Sequence, residues 1–120
     1  MLLHALSAVE AGRRIAEGKL SAQDYAQALI ERIDAAESAV QAWAWFEPEA
    51  LLTQAREVDA RRATGMVLGL LAGLPVGVKD IIDTAGVPTE LGTPLHAGRV
   101  PTADAAVVQR LRRAGGLMAG

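Results

Sequence analysis

The chain has 120 residues, a formal net charge of −2 and no cysteine. That bounds it to one ordinary domain or a piece of a larger one, and it excludes disulfides, zinc–thiolate centres and a cysteine nucleophile. The charge balance gives no electrostatic footprint for nucleic acid or for an anionic membrane surface.

Hydrophobic residues make up 51% of the sequence but aromatics only 3%. The core is therefore expected to be Ala, Leu and Val in closely packed helices and short strands, and a chain this long can bury roughly two-thirds of its unfolded surface. The opening Met1–Leu6 has neither a basic start nor a sustained apolar run, so it makes a poor signal peptide. The longest apolar window, Met66–Val78, is broken by Gly69, Gly73, Pro75 and Gly77 and falls short of the roughly 20 residues a membrane helix needs. The expectation is a soluble, cytoplasmic protein.

The first half reads as helical. Ser7-x-x-Glu10 and Ser21-x-x-Asp24 are capping-box patterns, each opening an apolar-periodic segment. The first helix runs over Leu6–Glu17, with Gly18 as its left-handed stop. After Ser21, the residues Ala22, Tyr25, Ala26, Leu29, Ile30, Ile33 and Ala36 form a helical stripe with Glu31, Arg32 and Asp34 on the wet side. Ser38 is expected in a solvated link after that helix. Ala42-Trp43-Ala44-Trp45-Phe46 alternates like a short core strand. Pro48 suits the first turn of a third helix reaching about Thr64, with Gly65 as its stop.

From Gly65 the texture changes to dense Gly and Pro punctuation, which means short strands and shaped loops. Leu74–Val78 reads as a buried strand with Pro75 at its start, where a missing N–H is tolerated. A last helix is expected from an N-cap at Thr102, with Asp104 in its first turn and Gly115-Gly116 at its end. Leu117-Met118-Ala119 then reads as a second strand, and strand–loop–helix–strand is the order of a parallel α/β unit. An unprotected edge near Leu117 would favour pairing with another chain through the unfinished sheet.

Lys79 stands where the buried strand gives way to a loop. Desolvation there disfavours an ammonium ion and draws the amine towards neutrality, where it can serve as a general base. The alternative is an ion pair with Asp80 or Asp83 that merely stabilises the bend. The two Asp residues are expected to hydrogen-bond loop backbone and steady Lys79. His4 and His96 are too few and too far apart to suggest a metal site, and His96 reads as a surface residue. Arg110, Arg112 and Arg113 sit near a helix C-terminus, where cations are favoured in any case.

Gly73-Leu74-Pro75-Val76-Gly77-Val78-Lys79-Asp80, followed by Asp83, Gly86, Thr89 and Gly92-Thr93, resembles the amidase-signature family. So does the continuation Ala103–Val108, Leu111 and Ala114-Gly115. The match runs over Gly69–Gly120. Leu70 stands where the family often has proline, and Thr93 where it often has serine.

The resemblance implies an α/β architecture: N-terminal helices (1–64), then the first strands and helix of a mixed-sheet α/β/α fold (65–120), incomplete within residues 1–120. It also implies amide hydrolysis by a Ser–Ser–Lys triad without a cofactor. In that triad Lys79 is the catalytic lysine, which takes a proton from a bridging serine that activates the nucleophilic one. Both family serines follow the lysine, whereas Ser7, Ser21 and Ser38, the three serines here, all precede it. The chain is therefore expected to be the N-terminal part of an amidase, inactive by itself. A non-catalytic truncated paralogue serving as a protein-interaction module is the alternative. The substrate-binding residues are left open.

Overall fold

A computed structural model describes residues 2–120 of the chain. Ser7 opens helix α1 (Ala8–Ala16) by accepting the Glu10 N–H at 3.2 Å, and Gly18, at φ +71°, turns the chain away after it. Only half of the expected capping box forms, because the Glu10 carboxylate turns to Arg13 and Arg14 (2.8 and 2.6 Å). Ser21 caps helix α2 (Ala22–Val40) through the Asp24 N–H at 2.9 Å. Helix α3 (Pro48–Ala63) begins with proline in its first turn and stops before Gly65, at φ +77°.

Ser38 lies exposed inside the last turns of α2, and not in a link after it. The helix continues to a left-handed Gln41, whose N–H bonds the Glu37 carbonyl at 2.8 Å. Asp59 adds a contact across the helix pair. From α3 its carboxylate takes the Ala22 and Gln23 N–H groups at 2.8 and 3.0 Å, so two of the orphan donors of α2 are satisfied from another helix.

Ala11, Ile15, Ala22, Ala26, Leu51 and Ala55 are almost fully buried and form the centre of the core. Alanines at these positions on α2 and α3 let those two helices approach closely. Gly73 closes the core from the loop side. It has φ +80°, and a Cβ there would stand 3.0 Å from the Ala22 methyl and 3.1 Å from Ile15 Cδ1.

Strands β1 (Pro75–Val76) and β2 (Leu117–Met118) pair in parallel, Pro75 opposite Leu117 and Val76 opposite Met118. Flanking hydrogen bonds lengthen the ladder: Leu117 N–H to Leu74 O (2.9 Å), Ala119 N–H to Val76 O (3.0 Å) and Val78 N–H to Gly120 O (2.7 Å). The expected strand over Leu74–Val78 is thus present as a shorter strand with paired ends. It is half-buried at Pro75 and Val76.

The outer side of Met118 is not bare. Gln54 of α3 accepts its N–H at 2.8 Å and donates to its carbonyl at 3.0 Å, occupying the place of a neighbouring strand.

Helix α4 (Ala106–Arg113) joins the two strands. Its N-cap is Ala105, with no side-chain cap, and not Thr102. The reason is tertiary. Asp104 spends its carboxylate on the Ala85 N–H (2.7 Å) and on Arg112 (2.8 Å), and the Ala105 N–H goes to Asp83 O. Ala105 is extended, at φ −60° and ψ 156°, and the helix begins only after it. No helix among the described residues is long and apolar enough to cross a membrane.

The aromatic run 42–46 is not a strand. Among the described residues no neighbouring backbone pairs with it, so it crosses the sheet end as irregular chain. Trp43 and Phe46 are half-buried, with ring centroids 5.2 Å apart.

Candidate active site

The site lies where β1 ends. Val78 makes the last ladder bond, and a turn closed by the Ile82 N–H on the Lys79 carbonyl (3.0 Å) follows immediately. Lys79 is the first residue of that turn and lines a cleft of about 420 Å³. Trp43, Trp45, Gly77, Thr84, Thr89 and Gly120 also line it. Gly77 has to be small, because a Cβ there would meet Trp43 Cη2 at 3.3 Å.

Lys79 itself is exposed. The desolvation expected of a strand end is therefore not supplied by these residues.

The expected pairing of Lys79 with Asp80 or Asp83 does not form either. Asp80 Oδ1 accepts the Glu90 N–H at 2.9 Å, and its own carbonyl accepts the Leu91 N–H at 2.9 Å. Asp83 is held by both nitrogens of the Arg99 fork, at 2.7 and 2.9 Å, and its carboxyl lies below the usual carboxylate range because of those hydrogen bonds. Among the described residues no carboxylate forms an ion pair with the Lys79 amine.

Asp80 does bond loop backbone as expected, and Asp83 instead uses a side-chain partner. Neither touches the lysine.

Residues 79–105 contain little regular structure, yet polar bonds hold the segment to itself. Arg99 also donates to Thr89 O at 3.2 Å, and Thr89 N–H returns to Arg99 O at 2.9 Å. Glu90 takes the Gly98 N–H. Thr84 and Thr89 are buried in the cleft wall. No local pattern in the sequence singles out Arg99. Its one signal there is that it is the sole Arg or Lys between Lys79 and Arg110.

His96 is exposed in a short 3-10 turn, Pro94–His96, as expected of a surface histidine. None of the three serines reaches the cleft. Ser7 and Ser21 cap helices, and Ser38 is exposed on α2. The described residues contain no group of three or more His, Asp or Glu side chains placed to hold a metal ion.

The sequence model described as Amidase matches residues 24–120. The chain is 46% identical over 118 residues to a glutamyl-tRNA(Gln) amidotransferase subunit of Salinispora arenicola, covering 98% of this chain and 24% of that protein. The corresponding subunit of Chloroflexus aggregans is 41% identical, again over 98% of this chain and 24% of the relative.

Among solved structures, the native peptide amidase of Stenotrophomonas maltophilia superposes with a TM-score of 0.88 at 32% identity, covering 97% of this chain and 24% of that one. The chain thus spans about a quarter of the length of the proteins it matches, and its helices and parallel strand pair correspond to the N-terminal part of their α/β fold. The chain belongs to the amidase-signature family.

Proposed function

We propose that this chain is the lysine-bearing segment of an enzyme that hydrolyses an amide C–N bond, with Lys79 as its general base. The observation that carries the reading is the placement of Lys79: first residue after a paired strand, lining a cleft, with no acidic partner among the described residues to hold its proton.

In the Ser–Ser–Lys scheme the neutral amine of Lys79 takes a proton from a bridging serine, which takes one from the nucleophilic serine. The nucleophile adds to the amide carbon, backbone N–H groups stabilise the oxyanion, and the protonated relay hands a proton to the departing nitrogen. Water then releases the acyl group as a carboxylic acid.

On this reading neither serine belongs to these 120 residues, and both lie in further polypeptide. The names of the relatives, a peptide amidase and one subunit of an amidotransferase, share the amide nitrogen as the common element.

The test compares ammonia release from a primary carboxamide by a polypeptide carrying both this segment and the serines. Lys79→Ala should abolish release, and Lys19→Ala, at the distant end of α1, should leave it intact. Release at the wild-type rate from Lys79→Ala would falsify the assignment. The 120-residue chain by itself should release none. If the longer polypeptide also releases none but binds a partner protein through its helices, the reading as an interaction module takes over.

A further inference from the structure

The two carboxylates closest in sequence to Lys79 are both engaged elsewhere. Asp80 is bound by the Glu90 N–H, and Asp83 by the two-pronged Arg99 fork. The turn closed by the Ile82 N–H on Lys79 O brings its two ends to within about 7 Å, and Asp83 follows it directly. A free Asp83 carboxylate would lie within the reach of the lysine's flexible four-carbon stem.

We propose that Arg99 is a positioning residue that acts through Asp83: by occupying that carboxylate it keeps Lys79 unpaired, so that the amine is free to exchange protons with substrate-side groups. This inference rests on the reading of Lys79 as the base.

An ammonium ion held by a carboxylate gives up its proton less readily. An Asp83–Lys79 pair would therefore hold the lysine in its inactive, charged form. Arg99 is suited to prevent this, because its planar guanidinium matches a carboxylate at two points while a third bond to Thr89 O fixes its own direction.

The other ionisable groups nearby are few. The cleft lining carries only Asp80 besides Lys79. The neighbour of Asp83 on the α4 side is Asp104, which is itself bound to the Ala85 N–H and to Arg112.

The test is a side-chain NMR titration of the lysines in the 120-residue chain. There are only two, and Lys19, bound to Glu17 at 2.7 Å, serves as the internal reference. Arg99→Met should raise the Lys79 titration midpoint by about half a pH unit, the size an exposed lysine–carboxylate pair supports, and leave Lys19 unmoved. The double variant Asp83→Asn/Arg99→Met should return Lys79 to its wild-type midpoint, because the released carboxylate is gone.

A purely structural role for the pair predicts the opposite, with the double variant at least as perturbed as the single one. The proposal is overturned if Arg99→Met leaves Lys79 unmoved, or if the double variant keeps the shift. Asp83→Asn alone gives a check that does not need Arg99→Met to fold. It should leave the Lys79 midpoint in place, and a clear fall would mean that Asp83 already acts on the lysine. The readout needs no catalysis, so failure here and failure of Lys79→Ala to abolish hydrolysis are separate results.

Discussion

Replacing Gln54 tests how the sheet under the lysine is finished. Its side-chain amide makes two bonds to Met118, a residue only 5% exposed. Gln54→Ala removes both partners and orphans one N–H and one C=O at a nearly buried position. An unsatisfied buried backbone group costs about 1–3 kcal/mol. Water can reach the partly exposed Gln54 position, so we expect the two losses together to cost about 2–3 kcal/mol.

Gln54→Glu sharpens the reasoning. At neutral pH its carboxylate can still accept the Met118 N–H, but it sets a second anionic oxygen against the Met118 carbonyl. The protonated acid restores a donor. Its folded-state pKa should therefore be raised above the unfolded value of about 4.3. The sign follows from linkage. The contribution of the acid form is fully present below about pH 4.3 and is lost as pH rises through the raised folded-state value.

Urea unfolding followed by far-ultraviolet circular dichroism, with wild type measured at each pH, gives the comparison. Gln54→Glu should close most of its gap to wild type on acidification, whereas Gln54→Ala should not. A Gln54→Ala loss below about 0.5 kcal/mol, the level of an ordinary surface change, would refute the argument.

Three further outcomes follow from the same structure. Asp59→Ala should cost about 2 kcal/mol in the same urea experiment, more than the roughly 1 kcal/mol of Ser21→Ala, because it strips the fully buried Ala22 of its N–H partner. The Glu10 carboxyl, held at about 2 by hydrogen bonds from Arg13 and Arg14, should titrate near that value by carbon-13 NMR and move upward in Arg13→Ala. Its stabilising effect is present above the unfolded value of about 4.3 and disappears as pH falls through about 2. Gly73→Ala should destabilise more than Gly65→Ala in thermal melts. Both have positive φ, worth about 1–2 kcal/mol for a residue with a Cβ, but only at Gly73 would the methyl strike core atoms.

What the sequence revealed divides along the range of the interactions. Ser7, Ser21, Pro48, Gly18 and Gly65 mark helix ends through bonds and dihedral angles within a few residues, so their patterns are readable directly. Lys79 is readable for the same reason, as a residue at the end of a short, glycine-flanked apolar run. The aromatic alternation of 42–46 misleads because a strand is defined by its neighbour, and none among the described residues pairs with it. Thr102 fails as a cap because Asp104 is claimed by Ala85 and Arg112. Asp59 to Ala22, Arg99 to Asp83 and Gln54 to Met118 span 37, 16 and 64 residues. No local pattern announces such pairs, and one of them bears on whether Lys79 has a counter-ion.

The Gln54 bridge also bears on the order in which the molecule assembles. The α2–α3 hairpin closes over a short connection, but the strand pair must wait for α4 to cross, and Gln54 can cap Met118 only once α3 is already docked. Contacts of long sequence separation carry the larger loop-closure cost and form late. The α2–α3 pair is therefore expected to form before the strand pair beneath Lys79.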